Sequence, residues 1–260
     1  MKKGEIDLNS YFVQELKRAV FQKKMYLTIA IAFICIWIEA IEDVLFPLPD
    51  NAFNLFILSY HFSFLIVIFP LLACLPYATS YLEDCKTGHI QYALIRMTPA
   101  KYIFTKIMVN GLAGGLGILL GCILAFFTLV VVEGIELNTI SIVPVDAIVF
   151  HKLLLTYPLL WMYVLFLVIF IGGFCFATFG LGLSVIIRNP YITILFPFFY
   201  EIFSGVVLTK ISYVLYIAYA LSLASGGASI ELVIIHNSIL LTVGLLFFVT
   251  GVKIHVKNLY

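Results

Sequence analysis

Charge is what this sequence has least of. Asp, Glu, Lys and Arg together make up 11% of 260 residues, against 63% hydrophobic and 16% aromatic. Too few polar side chains remain to cover such an interior in water, so a soluble globular protein is excluded, whereas a bilayer asks for this balance. Nucleotide machinery is missing as well. No G-x-x-x-x-G-K-[ST] run is present, so the chain has no Walker loop with which to cradle ATP. Hydrolytic patterns (HExxH, G-x-S-x-G) and clusters of His, Cys and carboxylate at metal spacing are equally missing, so neither a catalytic residue nor a bound metal or other cofactor is expected. The five cysteines imply no oxidised framework, since Cys35, Cys74, Cys122 and Cys175 lie in apolar runs and Cys85 in a polar one. The net charge of +1 gives no reason to expect nucleic acid as a partner. No internal repeat stands out, which argues against transporters built from inverted repeats.

What is present is a series of apolar runs, at residues 26–46, 56–79, 102–132, 153–187, 191–209 and 236–252. At roughly 20 residues per span the chain has room for about six, and for no soluble domain. Residues 1–25 lack the apolar core and cleavage site of a removable signal peptide and are expected to stay on the mature protein. Within them Phe12, Val13, Leu16, Ala19 and Val20 recur at helical spacing. Gln14, Glu15, Lys17, Arg18 and Gln22 take the other side, which predicts an amphipathic interfacial helix rather than a solvated basic tail. A short seventh run, 211–225, ends at Ser225-Gly226-Gly227 and reads as a span or as a hairpin dipping into the outer leaflet.

The positive residues choose between these. If 211–225 does not cross, Lys17, Arg18, Lys23, Lys24, Lys86, Arg96, Lys101, Lys106, Arg188, Lys253 and Lys257 fall on one side with Lys2 and Lys3, leaving Lys152 and Lys210 on the other. If it crosses, Lys253 and Lys257 move against the positive-inside bias. The expected fold is therefore all-α: one polytopic domain over 1–260 in the cell membrane, six spans, both termini cytoplasmic. It has an interfacial elbow at 1–25, a cytoplasmic element at 80–101 and an outer re-entrant hairpin at 210–235.

Two runs, 102–132 and 153–187, would reach about 45 to 50 Å as helices against about 30 Å of hydrocarbon, so they must tilt, bend or project. Gly172-Gly173 and Pro197 are the expected bending points. Gly111, Gly115, Gly117 and Gly121 form overlapping small-xxx-small spacings that serve intrachain packing or a subunit interface. Glu201 reads as the one ionisable residue well inside a span, where it must face protein or a wet cavity, unless Pro197 lets it reach outer-leaflet water. An amphipathic cargo path would run past Glu201 and the aromatics Tyr60, Phe64, Phe198 and Phe199, with Tyr191 and Tyr200 as further lining residues. His61 reads as a packed residue, and Glu39, Glu42 and Asp43 as a solvated outer stripe.

Residues 81–106 form a short polar element between the second and third apolar runs. Glu83 and Asp84 come first and Gly88 follows. Ile90, Ala93, Leu94 and Met97 then recur at helical spacing, and Thr98-Pro99 can cap and start the next helix. The pattern of Glu83, Gly88, Leu94, Arg96, Thr98, Pro99, Tyr102 and Lys106 resembles the intracellular loop of the type 2 ATP-binding-cassette (ABC) exporter permeases. The overall layout of elbow, six spans and outer hairpin resembles that family too. The resemblance implies a membrane subunit on whose short cytoplasmic helix separate ABC ATPase subunits dock, with ATP and Mg held on those partners. It also implies a second copy of the permease or a homologous one. Glu83, Asp84, Gly88 and Arg96 are then the coupling residues, with Leu94 as anchor. The small outer loop at 133–151 is similar to that of permeases for antimicrobial-peptide immunity and export, which implies an amphipathic or hydrophobic cargo. Two other classes stay open: an intramembrane enzyme on lipid, which needs Glu201, His61 and the outer acids to converge, and a non-catalytic sensor or assembly partner.

Overall fold

A computed structural model describes residues 8–45, 51–134, 148–223 and 229–257. Among the described residues there are helices and turns and no strand. The apolar runs become helices because a backbone in lipid must satisfy its own polar groups within the segment. These are α2 (Lys23–Leu45), α7 (Pro99–Glu133), α9 (Pro158–Ile186), α10 (Pro190–Val206) and α11 (Ile230–Lys257). Each is long and apolar enough to cross a membrane, α10 together with the 3-10 turn that extends it to Lys210. A sixth span exists if α3 (Ala52–Phe62) and α4 (Leu65–Cys74) count as one. The described residues thus make a multi-pass helical protein with five or six apolar helices long enough to span.

Several starts and breaks follow from local chemistry. Asn51 caps α3 by accepting from the backbone N–H of Phe53 and Asn54. Proline opens α7, α9 and α10 at the first turn, where its missing N–H costs no bond. The expected bends differ from those found. α9 runs unbroken through Gly172-Gly173 and α10 through Pro197. The glycines instead admit neighbours: a Cβ on Gly173 would lie 2.8 Å from the Gly115 Cα, and one on Gly172 would collide with Leu221. The sharp bend, 74°, falls between α3 and α4 at Ser63 and Phe64. There Ser63 is extended, and its hydroxyl donates to the Tyr60 carbonyl at 3.1 Å.

The core lies where α7 and α9 cross α2, α3 and α4, filled by Phe56, Phe69, Trp161 and Phe176. Ala52 N–H donates to the Gly134 carbonyl, so α3 begins beside the end of α7. Between α10 and α11 the described residues form no further long helix. Three 3-10 turns (Leu208–Lys210, Tyr213–Leu215, Ile217–Ala220) fold back onto the bundle. Tyr60 donates to the Leu221 carbonyl at 3.0 Å. The glycine turn expected at 225–227, most of the outer loop at 133–151, and Lys2, Lys3 and Asp50 lie outside the described residues. So do the side chains of Glu42 and Asp43.

The amino-terminal helix α1 (Leu8–Val20) is amphipathic, and two residues, Glu15 and Val13, correct the expected partition. Tyr11, Glu15 and Ala19, spaced by four, form the buried stripe, while Val13 is exposed. Glu15 therefore points inward, because a buried cation awaits it.

Candidate functional site

The 80–101 element folds as two short helices, α5 (Ser80–Lys86) and α6 (His89–Arg96), which pack at one end of the bundle. They share an apolar cluster with α1, the first turns of α7 and the last turns of α9 and α11, through Tyr11, Tyr81, Ile90, Tyr102, Leu181 and Phe248. Gly88 makes the reversal between α5 and α6. Its φ of +72° is a left-handed conformation that a side chain disfavours, and α6 starts from its carbonyl. Thr98, extended, precedes Pro99 at the first turn of α7.

Under this reversal lies a buried ion-pair network. Lys106, on the second turn of α7 and wholly enclosed, places its ammonium 2.7 Å from Asp84 Oδ2 and 2.6 Å from Glu15 Oε2. Arg18 donates to Asp84 Oδ1 at 2.9 Å and to Glu83 Oε2 at 3.2 Å, and Lys24 reaches Glu83 Oε1 at 3.3 Å. Tyr102 donates to Asp84 Oδ2 at 2.9 Å and Tyr77 donates to Glu15. The Lys106 ammonium also lies 5.2 Å from the Tyr77 ring centre and 5.7 Å from that of Tyr102. Three acids thus meet three bases, and the charge balances. Burial pushes the Asp84 carboxyl up, but Lys106 and Arg18 outweigh it and hold it below its ordinary value of 3.8.

The residues expected to couple to a partner separate into two roles. Asp84 is fully buried and faces Lys106, not solvent. Glu83 is half-exposed, yet both of its oxygens are engaged by Arg18 and Lys24. Leu94 is half-buried against the apolar cluster. Arg96 is exposed. The outward apolar surface of α6 is made by two residues that the sequence reading did not single out, Tyr92 (69% exposed) and Ile95 (75%). Their signal was present, because they fall on the face opposite Ile90 and Ala93 in an eight-residue helix. Glu15, Arg18 and Tyr77 are not among the site residues the sequence points to, and Lys106 enters there only as the last residue of the loop pattern. A lysine within an apolar helix needs a counter-charge, and that requirement was the available clue.

The cargo-path residues do not gather in the same way. Tyr60 is buried in the core and Phe64 is 62% exposed at the α3–α4 bend. Phe198 and Phe199 pack on each other with ring centres 5.8 Å apart, Phe199 facing outward. Glu201 is 2% exposed, and its Oε2 has no hydrogen-bond partner among the described residues. Ser204, one turn on, accepts from the Ile217 N–H and so clips the 3-10 segment to α10. His61 is hydrogen-bonded at Nδ1 to the Ile57 carbonyl. No group of three or more His, Cys, Asp or Glu capable of holding a metal occurs among the described residues. All five cysteines are free thiols.

The arrangement defines a polytopic membrane protein with a braced polar element at one end. No family model, no curated protein and no solved structure matches this chain.

Proposed function

We propose that this protein is the membrane-spanning subunit of an ABC exporter of the type 2 permease kind, driven by ATP and Mg on separate ATPase subunits that dock on α6. The observation that carries the reading is mechanical. α6 presents Tyr92, Ile95 and Arg96 outward, packs inward through Ile90 and Ala93, and is joined at Gly88 to α5, which Asp84 ties to Lys106 of α7 and Arg18 of α1. A disordered loop would absorb displacement as its own entropy, whereas a braced helix passes it to the two helices it is pinned to. An apolar pair with a charged rim is also the composition of a small protein-binding patch.

In this reading the end carrying α1, α5 and α6 is cytoplasmic, both termini lie there, and the membrane is the cell membrane. The bias of lysine and arginine toward that end supports the assignment. The 3-10 turns between α10 and α11 form the outer re-entrant hairpin. A second copy or a homologous permease completes the translocation path. The cargo is amphipathic or hydrophobic, an antimicrobial peptide being the model substrate, and it passes Glu201, whose unpartnered oxygen is available to a cationic or hydrogen-bonding group.

The test is copurification of the full chain with separately expressed ABC ATPase subunits from the same source. The expected result is a complex that hydrolyses ATP faster than the ATPase alone and loses the stimulation on Gly88→Pro. A chain that modifies lipid by itself and recruits no ATPase sinks the proposal.

A further inference from the structure

A second feature of the same end takes no part in the brace. A cleft of about 620 Å³ opens between α5, the end of α9 and the last turns of α11. Its basic lining is Lys86, Arg188 and His255, and no Asp or Glu lines it. The single sign has a structural cause. The two acids of α5 turn the other way, Glu83 to Lys24 and Arg18, and Asp84 to Arg18 and Lys106, so the face of α5 toward the cleft keeps only its base. Neither Lys86 nor Arg188 has an ion-pair partner among the described residues. Two full positive charges lining one cleft repel each other, and a site that keeps both without an internal counter-ion suits an anion from outside.

The other walls identify what carries the anion. Ile186, Phe247 and Ile254 line the cleft and are themselves exposed, Ile254 at 61% and Ile186 at 59%. They belong to α9 and α11, helices of membrane-spanning length, with Ile186 and Ile254 near the helix ends and Phe247 about two turns further in. A free anion would use the cations and leave this apolar wall idle. A molecule with a phosphate at one end and an acyl chain at the other uses both.

We propose that this cleft is a binding site for the phosphate headgroup of an anionic phospholipid. The Arg188 guanidinium, with its planar fork, and the Lys86 ammonium take the phosphate oxygens, and an acyl chain lies along Ile186, Phe247 and Ile254. The site is separate from the Tyr92 and Ile95 surface and needs no ATPase.

Native mass spectrometry of the full chain, released from nanodiscs of phosphatidylcholine doped with phosphatidylglycerol, tests it directly. Phosphatidylglycerol is expected to be retained in preference to phosphatidylcholine, with about a fivefold loss of retention for each of Lys86→Gln and Arg188→Gln, near the contribution of one basic residue at an anionic surface. Lys86→Arg with Arg188→Lys keeps both charges and is expected to keep the lipid. Both side chains are exposed, so the substitutions leave the unfolding temperature unchanged, which confirms that lost retention is lost binding. Equal retention of the two lipids, or undiminished phosphatidylglycerol in the Gln variants, overturns the site. Inorganic phosphate binding as tightly as the lipid, or displacing it at equal concentration, overturns the lipid assignment in favour of a free-phosphate site.

Discussion

Lys106 and Asp84 meet at 2.7 Å with neither side chain exposed, and the contact joins the second turn of α7 to the middle of α5. Such a pair is weak evidence of net stabilisation, because two ions have been taken out of water. Breaking it from one side is costly, since the remaining charge stays buried without compensation. Lys106→Met leaves both Asp84 and Glu15 short of a cation and is expected to cost about 3–5 kcal/mol. Asp84→Leu is expected to cost a similar amount. The double variant Lys106→Met with Asp84→Leu should cost clearly less than the sum, as Arg18 still serves Glu15. Thermal unfolding in detergent checks this. Additivity within about 0.5 kcal/mol would show that the two groups are not coupled.

The same network sets a direction for pH dependence. The Asp84 carboxyl is held below its ordinary value of 3.8, so its unfolded form binds a proton more readily than its folded form. Its contribution to stability is therefore fully present above that ordinary value and lost as pH falls through the lower, folded one. Acidification below about pH 4 should lower the unfolding temperature of the wild type, with Asp84→Asn flattening that acid limb. A limb unchanged in Asp84→Asn would assign it to other carboxylates.

Tyr92 and Ile95 offer the opposite case. Both are exposed and touch little, so Tyr92→Ala with Ile95→Ala should change stability by no more than about 0.5 kcal/mol. The expected loss is in association with the ATPase, measured as reduced copurification and reduced stimulated ATP hydrolysis. Loss of fold instead would mean that these side chains face the bundle. An unchanged complex would place the docking surface elsewhere.

These three expectations also mark where the sequence was readable. Apolar runs were legible because lipid imposes one rule along a whole helix. The α5–α6 reversal and the start of α7 were legible because Gly88 and Thr98-Pro99 are local signals. The 74° bend at Ser63 and Phe64 carries neither Gly nor Pro at the break, although Pro70 lies one to two turns on, inside α4. That bend is held by tertiary contacts such as Tyr60 to Leu221, 161 positions away in the chain. Glu15 was illegible for the same reason. By periodicity it belongs with Arg18 and Lys17 on a wet face, and only the arrival of Lys106 from α7 makes burial tolerable. For Glu201 the sequence leaves open burial against protein and access to outer-leaflet water, because the depth of a proline-containing run is not written in its residues; the structure buries the side chain.

The glycines of α7 give the last prediction. Gly111 and Gly115 face Phe174 and Phe170 of α9, while Gly117 and Gly121 face α2 at Thr28 and Ala32. Both small-residue rows are thus filled inside one chain and are not free for a second copy. A Cβ at Gly121 would stand 2.6 Å from the Ala32 Cβ and 2.7 Å from the Ile29 carbonyl oxygen, so α2 would have to move away. Gly121→Ala is expected to cost about 1–3 kcal/mol through overpacking, and Gly121→Val more. The loss should appear as a lower unfolding temperature at unchanged oligomeric mass by light scattering. A variant that unfolds like the wild type but runs at half its mass would move this row from the interior to a subunit interface.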